Sequence, residues 1–287
     1  MHIVTDGAAD ISPEQMHDLS IHTVPISFTL DGKTYRSGVD IQPDAFYHLL
    51  GETSSFPTTS QPSPGDFADL YRQLAQTDPE ILTIHISGGL SGTGNAARLG
   101  AQMVPEAKVT FYDTRTLSGA QGWHVVAAAR AAKAGWSLAQ ILEMLSTITE
   151  TTETLYTLAT LKYLIHGGRI SHLRGLVGSL LDIKPIIGVA KEDGKYVQRG
   201  NGRSLKKAIL VVPQLIARQH APGSALRCQV MHGDNLEGAH QLREAVNGLY
   251  QCTWLPLAPI APVLGAHTGS GLVGIVYAPQ SAFAGLP

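Results

Sequence analysis

Short apolar runs alternate with stretches of helical period along the first 160 residues. His2–Thr5, residues 82–86, Lys108–Asp113 and Thr154–Ala159 read as strands. Val24–Leu30 and Lys33–Arg36, joined by Asp31-Gly32, read as a hairpin. Ser12-Pro13 opens a short helix, and Asp40-Ile-Gln-Pro43 opens another that runs to Leu50. Ser63-Pro64-Gly65-Asp66 caps a third, which places Phe67, Leu70, Tyr71 and Leu74 on one face. Leu117–Ala134 and Leu138–Ile148 are rich in Ala and Leu and read as helices. Strand and helix in alternation predict a largely parallel α/β sheet.

After residue 160 the texture changes. A short helix ends at Gly167-Gly168, and Leu176–Leu181 reads as a second short helix. Ile183–Val189 then turns at Asp193-Gly194 onto Lys195–Arg199 as a hairpin. A helix over Arg203–Arg218 follows, then strands at Leu226–His232 and Gln251–Leu257 around a helix at Asn235–Leu249, and a closing strand at Gly274–Tyr277. Hairpins among helices predict an α+β domain on a mixed or antiparallel sheet. The expected division is therefore residues 1–160 and 161–287.

Three loops stand out from this framework. Phe56–Pro64 holds three prolines and four hydroxyl residues, which suits a rigid extended loop outside any central strand. The strand at 82–86 empties into Ser87-Gly-Gly-Leu-Ser-Gly-Thr93, where glycines let the backbone turn and a helix start offers unpaired N–H groups. Leu264–Gly274 is a glycine-rich turn around His267. The central turn is neither a dinucleotide fingerprint nor a Walker loop, and it misses the nucleophile elbow because Thr93 replaces the last glycine.

Hydroxyls near Thr59 and Ser91, helix-start N–H groups and an imidazole suit an anion, either carboxylate or phosphate. A site between the two domains would use all three loops. A serine-type esterase using Ser91 and His267, with Asp6 or Asp113 holding the imidazole, is the alternative. A sugar- or nucleotide-phosphate site at the glycine-rich turn is a third. Asp6 and Asp10 could bind a metal or take a proton, or else cap helices and close turns.

Composition narrows the classes. The formal charge is −2 with 15% charged residues, so the footprint of a nucleic-acid binder is missing. Cys228 and Cys252 form neither a zinc pattern nor a C-x-x-C pair, so reduced thiols are expected. No apolar run approaches the roughly 18–20 residues of a membrane span, and the N-terminus enters a strand without a signal-peptide pattern. A cytoplasmic monomer is expected, without stable membrane insertion.

Thr58-Thr-Ser-Gln-Pro-Ser63, Ser87-Gly-Gly-Leu-Ser-Gly-Thr93, Leu161-Lys-Tyr-Leu with Gly167-Gly-Arg-Ile170, Ile183-Lys-Pro185 and His267-Thr-Gly-Ser-Gly271 together resemble the DegV family over essentially the whole chain. The resemblance implies an α/β two-domain DegV-like fold, with a Rossmann-like N-terminal domain and an α+β C-terminal domain that forms the acyl-chain pocket and carries His267. It implies a carrier of the FakB type, not a stand-alone enzyme, with no metal and no cofactor beyond a bound long-chain fatty acid. The carrier would present that acid to a separate ATP-dependent fatty-acid kinase, which makes acyl phosphate for phospholipid synthesis. Thr59, Ser60, Ser91, Gly92 and His267 would bind the carboxylate. Arg203 would contact the partner or the phosphoryl group, and Arg169 would tie the domain junction. Leu176, Leu180, Ile186 and Ile187 are candidates for a tunnel lining. The family commonly has Asp-Ser-Thr or Asp-Ser-Ser where this chain has Asp6-Gly-Ala-Ala, and Pro where it has Ser270.

Overall fold

The computed structural model describes residues 1–176 and 183–286, with the side chains of His172 and 174–176 also outside the description. Its first half runs β1 (His2–Asp6), α1 (Pro13–Met16), β2 (Ile21–Val24), β3 (Ser27–Leu30), β4 (Lys33–Arg36), α2 (Pro43–Glu52), β5 (Thr58–Ser60), α3 (Pro64–Ala75), β6 (Glu80–His85), α4 (Thr93–Gln102), β7 (Lys108–Asp113), α5 (Ser118–Lys133) and α6 (Leu138–Thr151). The second half runs β8 (Glu153–Thr157), α7 (Lys162–His166), a 3-10 segment (Arg169–Leu176), β9 (Lys184–Val189), β10 (Tyr196–Gly202), α8 (Leu205–Ile216), β11 (Ala225–His232), α9 (Leu236–Asn247), β12 (Gln251–Trp254), β13 (Ala258–Pro259), α10 (Pro262–Thr268), β14 (Val273–Pro279) and a short 3-10 turn (Gln280–Phe283).

Among the described residues these strands make three sheets. The first, β2-β1-β6-β7, is all parallel, as the continuous apolar runs predicted. The second, β10-β9-β8-β14-β11-β12 with β13 beside β11, is mixed: every pair is antiparallel except β11 with β12 and with β13. The third is a small antiparallel sheet, β4-β3-β5. β8 pairs with β14 and β9, so membership passes to the second sheet ahead of the division drawn at residue 160.

Proline explains two departures from the expected strands. Val24–Leu30 is not one strand. Pro25 offers no N–H to a ladder, and the chain leaves the parallel sheet at Val24 and starts the small sheet at Ser27. The loop Phe56–Pro64 does contain a strand: β5 is three residues long, lies between Pro57 and Pro62, and pairs Thr59 with Phe28 at the edge of the small sheet. A third departure concerns His267, which sits in the last turn of helix α10 and not in a glycine-rich turn; Pro262 at the first helical position starts that helix.

Helix α5 is buried on nearly every face, as a helix enclosed between layers must be. Its small Ala and Gly side chains let the sheets approach: a Cβ at Gly122 would come within 2.4 Å of the Ala9 carbonyl. The main core spans both halves of the chain, with Phe28, Phe46, Trp123, Tyr156 and Leu264 among its members. Separate apolar layers lie under α8 and α9 and under α3 and α4. Expected tunnel residues Ile186 and Ile187 are fully buried but belong to these cores and not to a cavity wall. Leu180 and the side chain of Leu176 lie outside the described residues.

Candidate functional site

A cavity of about 330 Å³ lies between the first and second sheets. Its walls are mostly apolar, with Ile86, Leu117, Tyr156, Met231, Leu264 and Val276 drawn from both halves of the chain. The pocket therefore does not belong to residues 161–287 alone. Polar side chains line it too: Thr59, Ser60, Gln61, Ser91, Arg169 and His267, with Ser118, Thr154 and Thr268.

Each polar group is placed by its own element. Thr59 stands on β5, where pairing with β3 fixes its direction. Ser91 ends the turn after β6: its N–H donates to the Ser87 carbonyl at 3.1 Å, and its hydroxyl lies 2.9 Å from that of Thr93. Ser87 in turn donates to the Gly194 carbonyl at 2.8 Å, which ties the turn to the β9–β10 hairpin. His267 is carried by α10, whose start is held by two remote groups. The Ala261 N–H donates to Asp10 Oδ1 at 2.8 Å, and the Val263 N–H donates to Ser37 Oγ at 3.2 Å.

Thr59 Oγ1 and His267 Nε2 are 2.9 Å apart, so residues 208 positions apart in the chain share a hydrogen bond. His267 Nδ1 is buried with no partner among the described residues. Burial, and after it the charge of Arg169, pushes the His267 pKa down to about 4. The imidazole is neutral near pH 7. Gly167 makes room for it, since a Cβ there would come within 2.2 Å of Nδ1.

Gly92 caps α4 without a side-chain cap and lines a shallower cleft that meets the cavity at Leu90, Ser91 and Arg169. Arg203 is exposed on the link from β10 to α8 and does not line the cavity. Sequence reasoning did not assign Gln61, Ser118, Thr154, Arg169 or Thr268 to the cavity, and all of them line it. Arg169, expected as a tie at the domain junction, lines the wall and donates to the Gly167 carbonyl at 2.8 Å. Gln61 reaches over Gly92, where a Cβ would meet its Oε1 at 2.1 Å; its place within Thr58-Thr-Ser-Gln-Pro62 was the available signal.

The triad needed by an esterase is not assembled among the described residues. Ser91 bonds to Thr93 and not to His267, and His267 has Thr59 on one nitrogen and no acid on the other. Asp6 is fully buried. It accepts from Ala8 N, Ile86 N and Gln121 Nε2 and pairs with His85 Nδ1 at 2.8 Å. Asp113 accepts from the backbone N–H groups of Gly88 and Arg115. Asp10 accepts from Ser118 Oγ as well as Ala261, and burial pushes its pKa up to about 7. These aspartates tie loops, and no group of three or more His, Cys, Asp or Glu that could hold a metal occurs among the described residues. Among the described residues no helix is long and apolar enough to cross a membrane.

A parallel sheet and a mixed sheet with a largely apolar cavity between them define an α/β architecture. The chain belongs to the DegV family: residues 1–280 match its family model, described as "Uncharacterised protein, DegV family". A DegV domain-containing protein of Staphylococcus aureus is 33% identical over 274 residues, covering 96% of this chain and 97% of the relative. A fatty-acid-binding DegV family protein from Thermus thermophilus superimposes with a TM-score of 0.86 at 30% identity, over 97% of this chain and 99% of that one. DegV from Bacillus subtilis, a fatty acid binding protein, does so with a TM-score of 0.86 at 29% identity, over 97% and 99%.

Proposed function

We propose that this protein carries a long-chain fatty acid, with the tail in the cavity and the carboxylate at Thr59, Ser60, Ser91, the backbone at Gly92 and His267. The observation that carries this reading is the cavity itself, apolar along most of its wall and polar where hydroxyls and a neutral imidazole gather. Its volume of about 330 Å³ lies at the lower end of the roughly 300–1,000 Å³ typical of small-molecule sites.

Energetics divide the labour. Burying a saturated chain gains about 0.8 kcal/mol per methylene, so a C16 tail gains on the order of 10 kcal/mol before the costs of association. Head-group hydrogen bonds net roughly 1–3 kcal/mol each. The tail supplies affinity and the polar end supplies orientation. A neutral His267 donates a hydrogen bond to the carboxylate alongside the Thr and Ser hydroxyls, and Arg169 contributes a favourable field.

In this reading the carrier is a cytoplasmic monomer that presents its acid to a separate ATP-dependent fatty-acid kinase for acyl-phosphate formation. Arg203, exposed and away from the cavity, contacts that partner. Acyl-phosphate production with a fatty-acid kinase tests the assignment: Ser91→Ala and His267→Ala lower it while far-UV circular dichroism stays unchanged. Full transfer by both variants overturns the head-group assignment. Ester hydrolysis by the protein alone that vanishes in Ser91→Ala overturns the carrier role.

A further inference from the structure

Away from the fatty-acid cavity, a small pocket of about 120 Å³ opens between α5 and the outer end of β11. Trp123, Val126, Phe283 and Leu286 form its apolar walls, and two arginines, Arg130 from α5 and Arg227 from β11, line it together. The Arg227 guanidinium lies 5.2 Å from the ring centre of Trp123 and 4.6 Å from that of Phe283. The two rings meet edge to face at 5.3 Å and hold that position. Stacking leaves the in-plane N–H groups of a guanidinium free to donate.

Those donors lack acceptors. Arg227 Nε is buried without a hydrogen-bond partner, and no carboxylate among the described residues pairs with Arg130 or Arg227. Burial, and after it the charge of Arg130, presses the Arg227 pKa below its ordinary value. Two like charges on one pocket, one of them half-buried with an unmet donor, form an unfavourable arrangement that an anion would relieve. A planar fork on each side suits an oxyanion that accepts from both. At about 120 Å³ the pocket admits a small ion and falls below the roughly 300 Å³ at which drug-sized ligands begin to fit.

The geometry points to a second anion site, independent of the fatty-acid cavity, in which Arg130 and Arg227 together hold a small oxyanion of the phosphate or carboxylate type. Arg130 is exposed and Arg227 is half-buried, so Arg130→Gln removes one fork without touching the aromatic stack, and Arg227→Lys keeps the charge while removing the planar fork. Thermal unfolding of the full chain is followed against sodium phosphate, sodium acetate and sodium chloride at matched ionic strength. The wild-type Tm rises saturably with phosphate or acetate beyond the chloride control. Whichever of the two gives the larger rise identifies the oxyanion. Arg130→Gln and Arg227→Lys each weaken the midpoint concentration by about tenfold, while fatty-acid content by native mass spectrometry is unchanged in Arg130→Gln. No rise beyond chloride, or an equal rise in wild type and both variants, overturns the site.

Discussion

Two polar regions lie at the carboxyl ends of neighbouring parallel strands, and their hydrogen bonding differs. At the end of β1, Asp6 is fully buried, and its oxygens take donors from Ala8, Ile86, Gln121 and His85. Asp10, four residues on, is engaged by Ser118 and Ala261. After β6, Ser91 bonds to Ser87 and Thr93 while Thr59 bonds to His267; all of Thr59, Ser91 and His267 line a cavity, and His267 Nδ1 has no partner among the described residues. Residue type alone does not separate a fastener from a binding group. What separates them is whether the hydrogen-bonding capacity is already met by the protein.

The largest effect expected from this contrast is at Asp6. Asp6→Ala strands a buried imidazole and two backbone donors and lowers unfolding free energy by about 3–5 kcal/mol, measured by urea denaturation. Ser91→Ala, on the unsaturated side of the comparison, changes the same quantity by less than about 1 kcal/mol.

Asp10 gives a pH-dependent version of the same test. Its folded pKa of about 7 stands above the ordinary 3.8, because burial disfavours the carboxylate. Below pH 3.8 both folded and unfolded states hold the proton, and the contribution to stability is fully present. Between pH 3.8 and about 7 the unfolded chain ionises first, so stability falls as pH rises, by up to about 4 kcal/mol, and then levels off. Asp10→Asn, which accepts from Ala261 and donates to Ser118 without ionising, removes that decline. Equal pH profiles for wild type and variant would count against a buried, raised carboxyl.

A smaller effect is expected at Gly167. An added Cβ lies 2.2 Å from His267 Nδ1, so Gly167→Ala pushes the imidazole away from Thr59. Fatty-acid affinity in a displacement assay then weakens by about tenfold, or roughly 1.4 kcal/mol. The smallest effect is at Arg203: Arg203→Ala leaves fatty-acid affinity within about twofold, with its consequence confined to acyl-phosphate transfer.

Much of this was legible in the chain. Parallel strands announced themselves as apolar runs with helices between, and the three loops at Thr59, Ser91 and His267 stood out by their glycines, hydroxyls and prolines. Meeting in space was another matter. The Thr59–His267 bond spans 208 positions and the Asp10–Ala261 bond spans 251, and no local pattern encodes either. Strand β5 is three residues long, too short for a period to show, and α10 is hidden by the glycines around it. Arg169 and Gln61 reach the cavity through tertiary placement that periodicity does not carry. The cavity is equally invisible to pattern, because Ile187 and Val276 read alike in sequence while only Val276 lines it.

Native mass spectrometry of the freshly purified protein, followed by lipid analysis of the denatured sample, tests the carrier most directly. The account predicts a stoichiometric added mass of one C14–C18 fatty acid that disappears on denaturation. A clean ligand-free mass that stays unshifted after incubation with several fatty acids would contradict it.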